Sequence, residues 1–226
     1  MRFDAIIFDF DGVLLESEFE GNQMLARLLT DLGHPTTFKE AIEHFTGLSG
    51  RDFVAKVESR LGRELPDEFH IATRAERDRT LVEGIAAVIG AVEFVRAMPS
   101  SFPMAVASSS SSRWIRTHLA HIGLEGLFEP HIYSGKEHVK RGKPAPDLYL
   151  HAARELGVDI SRAAILEDSK IGAIGALASG ATVIGLAAGG HCLDGHADML
   201  RGVGVQEIAH SFDEVAELVG LSQPSK

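Results

Sequence analysis

Apolar residues run unbroken through Ala5-Ile6-Ile7-Phe8, and the run ends on Asp9-Phe10-Asp11-Gly12. Residues 3–10 read as a buried strand, and the lack of alternation predicts a parallel sheet covered on both faces. From Glu16 to about Leu81 the pattern is helical only. Ser17 is placed to cap a helix running to Leu32, with Gly33 and Pro35 as stop signals. Phe38–Phe45 is a short helix. Ser49 or Asp52 starts another, which ends at Leu61-Gly62, and Pro66 opens a charged helix whose run of Arg and Glu reads as a solvated face. After Gly84 helix and strand alternate. Helices are expected at Ala91–Met98, Ser112–Ile122, Asp147–Leu156 and Lys170–Ser179. Strands are expected at Met104–Ala107, Pro130–Tyr133, Ala163–Leu166 and Thr182–Leu186. This order predicts an α/β fold: a doubly wound parallel-sheet core from residues 1–15 and 85–226, with an inserted helical unit at 16–84.

Bulk properties narrow the function. The chain has 226 residues, 45% hydrophobic and 24% charged, with a net charge of −10. An acidic chain of this kind is not expected to bind nucleic acid. An anionic substrate would need a local basic pocket against the global field. Cys192 is the single cysteine, so no intrachain disulfide forms and a reducing compartment is compatible. The apolar stretch after Arg2 breaks at Asp9, too soon for a signal peptide. The uncharged stretch Ile171–Gly190 is interrupted by glycines and reads as helix, turn and buried strand rather than a membrane span. A cytoplasmic monomer is expected.

Candidate chemistry lies at the ends of the strands, where open α/β sheets bind ligands. Asp9 and Asp11 are two residues apart, so both can face one point and need a cation or a shared proton between them. A calcium loop is excluded, because Val13 and Leu14 stand where such a loop needs an oxygen ligand and a glycine. The second strand is followed by five serines, Ser108–Ser112, which suit an anion at a helix N-terminus. The third is followed by Lys136, Lys140, Arg141 and Lys143, with Pro144 and Pro146 expected to hold the backbone extended beyond Lys143. The fourth ends on Glu167-Asp168. Acid pair, hydroxyls, lysine and second acid pair together suit phosphoryl transfer. A metal on Asp9 and Asp168, with Lys143, would offset the substrate's charge, and Ser108 with backbone N–H groups would orient its oxygens. One carboxylate can then attack phosphorus while the other moves protons.

The motifs Asp9-Phe10-Asp11-Gly12-Val13-Leu14, Val106-Ala107-Ser108-Ser109, Gly142-Lys143-Pro144-Ala145-Pro146-Asp147 and Leu166-Glu167-Asp168-Ser169, in this order, resemble the haloacid dehalogenase-like hydrolase superfamily. The likeness is to its sugar-phosphate phosphatase and β-phosphoglucomutase-like subgroup and runs over nearly the whole chain. It implies Asp9 as nucleophile and Asp11 as general acid/base. Mg²⁺ would be held by the Asp9 side chain, the Asp11 backbone carbonyl and Asp168, with Glu167 near the metal or its waters. Ser108, the Ser109 amide and Lys143 would hold the phosphate, and residues 16–84 would be a mobile cap.

The chain also departs from the mutase pattern. Gly21 stands where the mutases carry a histidine, Thr46 where they carry a lysine and Gly50 where they carry an arginine, with Arg51 adjacent. Without that clamp water becomes the acceptor. The second aspartate argues against carbon–halogen chemistry, and neither Lys39 nor Lys56 sits in an imine-forming motif. The expected activity is hydrolysis of a small phosphate monoester, a sugar or sugar-acid phosphate such as phosphogluconate. A phosphosugar mutase and a non-catalytic phospho-acceptor module are the alternatives. Glu18, Asn22, Thr46, Arg51 and Ser110 are the positions expected to meet substrate, and Leu48 is a further cap position. His191, Cys192, His196 and Asp198 resemble loose metal ligands, but their irregular spacing in a Gly-rich loop after a strand reads as a loop flanking the active site rather than a zinc site. Trp114 is expected to pack its helix on the sheet.

Overall fold

The computed structural model describes residues 1–46 and 50–221, and within these not the side chains of Gly50 and Arg51. Six parallel strands form one sheet: β1 (Ala5–Phe8), β2 (Met104–Ser108), β3 (Ile132–Ser134), β4 (Ala163–Glu167), β5 (Thr182–Leu186) and β6 (Glu207–Ala209), in the order β3-β2-β1-β4-β5-β6. The helices are α1 (Ser17–Asp31), α2 (Phe38–Phe45), α3 (Gly50–Leu61), α4 (Asp67–Glu83), α5 (Ala91–Ala97), α6 (Ser112–His121), α7 (Asp147–Leu156), α8 (Lys170–Ser179), α9 (His196–Gly202) and α10 (Phe212–Val219). The strand order reverses at β1, so its carboxyl end opens onto the switch point where such sheets leave a crevice.

The continuous apolar character of β1 has the expected cause. Ile6 and Phe8 enter one buried cluster with Phe94, Ile115 and Phe212, whereas Ala5 and Ile7 enter another with Leu148, Tyr149 and Ala173. Both faces are therefore covered. Phe8 meets Phe94 and Phe128 edge-to-face at centroid distances of 6.1 and 5.5 Å. Cutting that ring back to alanine would cost ~3–5 kcal/mol.

Helices α1–α4 have an apolar cluster of their own, containing Leu25, Leu29, Ala41, Phe45, Val57 and Phe69. Thr37 and Glu40 form a reciprocal capping box at the start of α2. The two chain crossings to the sheet lie side by side: Glu16 N–H donates to Ala86 O at 2.9 Å and Val88 N–H to Leu14 O at 3.1 Å.

Several local expectations change. Ser17 is the first helical residue rather than the cap, because its hydroxyl is used elsewhere, and Glu16 occupies the cap position. The third strand begins at Ile132, since Pro130 has no N–H to offer the sheet ladder. Pro146 adopts helical angles (φ −75°, ψ −7°) at the start of α7, so the chain past Lys143 turns into the helix instead of staying extended. Strand β6 and helices α9 and α10 were not foreseen. Ser49, one of the two proposed helix starts, lies outside the described residues. The stretch Ile171–Gly190 resolves into α8, a left-handed turn at Gly180 (φ +87°) and β5. Among the described residues no helix is long and apolar enough to cross a membrane.

Candidate active site

Strand pairing sets Phe8 level with Val106 and with Leu166, so the residues just beyond these three strands share one edge. Asp9, Asp11, Ser108, Ser109, Ser110, Lys143 and Ser169 line a common cavity of 610 Å³, and Glu18 and Trp114 complete its wall. Residues far apart in the chain thus meet at the point the motifs indicate.

Charge is concentrated on the cavity floor. Lys143 Nζ donates to Asp9 Oδ1 and to Glu167 Oε1, both at 2.7 Å, and lies 4.9 Å from the centre of the Tyr149 ring. Tyr149 donates to the same Glu167 oxygen at 3.0 Å. The other Glu167 oxygen accepts the Ser169 N–H at 2.8 Å and its hydroxyl at 2.9 Å. A buried carboxylate with four donors is strongly held. Gly172 is required beside it, because a Cβ there would collide with the Glu167 carboxylate. Burial raises the Asp9 carboxyl well above the usual range. Lys143 pulls it down, and Glu167 and Asp168 push it up again. Burial opposes the charge on Lys143, yet Asp9 and Glu167 outweigh it and hold the ammonium well above its ordinary value.

Asp168 is pinned from two directions. His191 Nε2–H donates to its Oδ2 at 2.8 Å and His196 Nε2–H to its backbone carbonyl at 2.8 Å. Burial opposes the charged His191 ring, but the hydrogen bond to Asp168 and the contact with Cys192 push its pKa up to about 11. Asp168 Oδ1 is buried with no hydrogen-bond partner. The carboxylates of Asp9, Glu167 and Asp168 lie within 4.8 Å of one another. Three acids outnumber Lys143 and the His191 ring, and with one oxygen unpartnered they fit a hard divalent cation held by Asp9 and Asp168. Glu167, whose lone pairs are already engaged, is better suited to orient that site than to ligate in it.

Asp11 sits differently. Its Oδ1 accepts from Ser17 Oγ (2.8 Å) and Trp114 Nε1 (3.1 Å), and its Oδ2 from Ser110 Oγ (2.6 Å) and Ser108 Oγ (3.2 Å). The two aspartates therefore share a cavity but not a set of partners. Gly12, at φ +83°, makes the turn immediately after Asp11, and a Cβ on it would strike the Asp168 carboxylate.

The remaining expected positions divide. Glu18 faces the cavity, and burial together with Asp168 and Asp11 pushes its pKa up to about 7. Ser109 is exposed at the cavity rim. Ser110 serves Asp11. Asn22 is buried and donates its Nδ2 to Glu18 O at 2.7 Å and Thr46 Oγ1 at 3.1 Å, which ties α1 to the end of α2. Thr46 lines a neighbouring cleft of 720 Å³ with Lys39, Asp168 and His191. Leu48 and the Arg51 side chain lie outside what is described. His191, Cys192 and His196 do converge, but both Nε2 atoms are engaged with Asp168, and Asp198 turns away to pair with Arg201 at 2.9 Å. Trp114 packs only part of its ring on the core, since its N–H is drawn to Asp11. The expected site-flanking loop does carry His191, whereas no local sequence signal marks Trp114 or Tyr149 as part of this site.

A sequence profile for haloacid dehalogenase-like hydrolases matches residues 6–186. The chain belongs to that family. Among solved structures, a haloacid dehalogenase-like protein of Agrobacterium tumefaciens superposes with a TM-score of 0.87 at 34% identity, covering 96% of this chain and 98% of that one. A family hydrolase of Deinococcus radiodurans, solved with bound phosphate and sodium, gives 0.84 at 33% identity and 99% coverage of both. Hexitol phosphatase A of Escherichia coli is 30% identical over 221 residues, 95% of this chain and 94% of that protein. This haloacid dehalogenase-like chain is a phosphoric monoester hydrolase.

Proposed function

We propose that the protein is a Mg²⁺-dependent phosphatase of a small phosphorylated metabolite, a sugar, sugar-alcohol or sugar-acid phosphate, working through an aspartyl-phosphate. The observation that carries this reading is the buried floor. Asp9 is fixed by Lys143 beside the unpartnered oxygen of Asp168, with Asp11 in the same cavity on separate partners. Mg²⁺ held by Asp9 and Asp168, with the Asp11 carbonyl, would supply positive charge for the phosphoryl oxygens and oppose the protonation that burial favours at Asp9. Lys143 and the serine loop hold the remaining phosphoryl oxygens.

Asp9 attacks phosphorus while Asp11 protonates the leaving alkoxide. Asp11 then takes a proton from water as that water displaces Asp9. Residues 16–84 form the cap over a core of 1–15 and 85–226, excluding bulk water and carrying Glu18 to the substrate. The likeness to hexitol phosphatase A supports a polyol or sugar skeleton, and the resemblance of Glu16-Ser17-Glu18 and of the Gly142–Tyr149 stretch to those of sugar-phosphate and phosphogluconate phosphatases supports phosphogluconate as a first substrate to try.

The test is a panel of phosphorylated sugars, polyols and sugar acids, with Mg²⁺ and with EDTA, reading released phosphate. Turnover of a subset, silenced by EDTA, is expected. Activity that survives complete metal removal would overturn the metal-dependent reading. Conversion of a hexose 1-phosphate to its 6-phosphate would favour the mutase, and a long-lived phosphoprotein without turnover would favour the acceptor module.

A further inference from the structure

Asp11 accepts two hydrogen bonds on each oxygen, so it must release one before it can pass a proton to or from anything else. Three of its donors are serine hydroxyls, which turn freely about one bond. The fourth is the indole N–H of Trp114, whose direction is fixed by the ring that carries it. Two side chains approach that ring. His118, fully buried beneath it, meets it edge-on at 4.2 Å between centroids. The Arg77 guanidinium on α4 lies over the ring, 5.9 Å from its centre. A cleft of 300 Å³ beside the indole, lined by Arg74, Arg77, Leu81 and Arg113, gives it room to move. Helix α4 belongs to the proposed cap, and it is joined to α6 close by, where His121 Nε2–H donates to Leu81 O at 3.1 Å.

We propose that Trp114 is the positioning residue of Asp11, aiming its Oδ1 and coupling it to helix α4 through Arg77. When α4 shifts, the indole shifts with it, and Oδ1, relieved of one donor, is free to hold the proton that the hydrolytic water gives up and to pass it to the leaving oxygen of the next substrate. When α4 returns, the carboxylate is captured again. The catalytic part of this inference rests on the proposed phosphatase reading. The link between indole and carboxylate does not.

The consequence is a dependence on leaving group. An alkyl alkoxide needs its proton during P–O cleavage, and p-nitrophenolate does not. In Trp114→Phe, kcat/KM is expected to fall roughly tenfold for the alkyl phosphate turned over fastest, the loss of one hydrogen bond to a charged group. For p-nitrophenyl phosphate it should fall clearly less. Equal losses on both substrates, or no loss on either, would overturn the proposal.

Trp114 is the only tryptophan in the chain, which allows a second measurement without substrate or a Trp114 variant. Indole emission should differ between the wild-type protein and Asp11→Asn, and in the wild type should shift on adding Mg²⁺ with orthovanadate. Emission identical in wild type and Asp11→Asn would sink the link directly. A protein that hydrolyses neither substrate but shows the emission difference would refute the phosphatase reading and leave the link standing.

Discussion

Asp9 and Asp11 stand two residues apart on one loop, yet Asp9 is held by a buried ammonium and Asp11 by four uncharged donors. The floor around Asp9 comes from strand ends and from α7, is closed to water, and balances charge against charge. The rim around Asp11 comes from the serine loop, from the first residue of α1 and from Trp114. A group fixed by an opposite charge in a dry site is stiff and costly to disturb. A group fixed by hydroxyls and an indole can change partners at small cost. One loop can therefore serve both a stationary nucleophile and a mobile proton carrier.

The contrast can be broken most forcefully at Asp9. Asp9→Asn should lower turnover by about 10⁴-fold or more while leaving the thermal midpoint close to wild type, because the amide keeps the shape. Substantial residual turnover would show that the floor does not supply the nucleophile.

Lys143→Ala should abolish activity and also cost stability, ~3–5 kcal/mol in a denaturant titration, because Asp9 and Glu167 lose their shared cation. A variant as stable as wild type would mean that the floor does not depend on charge balance.

Asp168→Asn is expected to weaken Mg²⁺ binding by calorimetry, while His191→Gln, which removes only a support of Asp168, should weaken it about 10–100-fold. If both bind Mg²⁺ as the wild type does, the cation lies elsewhere.

The smallest effect belongs to Glu18. Its folded pKa of about 7 lies above the ordinary carboxyl value. Its contribution to stability is therefore fully present at acid pH, where the group is neutral in both states, and is lost as pH rises through 7. Glu18→Gln should gain thermal stability relative to wild type at pH 8 and little at pH 5. A gain independent of pH would remove Glu18 from the buried rim.

The sheet and the floor were largely legible in the sequence, because strand ends carry their own signatures. A fully apolar run followed by an acid identifies β1, and the same sign identifies β4. Strand β6 escaped because it has three residues with polar neighbours and sits at an edge, where no continuous apolar run is needed. The rim was legible only in part. Ser17 looked like a helix cap because caps and active-site hydroxyls draw on the same residue types. The Trp114 side chain is joined to Asp11 across 103 positions of sequence, and a helical tryptophan between Arg113 and Ile115 carries no local mark of where its N–H points. Asn22 looked like a substrate contact for want of a visible partner, and Thr46 supplies one.

Gly12 takes no part in the chemistry, yet the space its side chain would fill belongs to the carboxylate of Asp168, contributed from the end of the neighbouring strand β4. The turn after the first strand and the cation site are thus one steric object. A position with no side chain to offer has as little freedom to vary as the acids beside it, and a change there would read in any activity assay as the loss of a ligand.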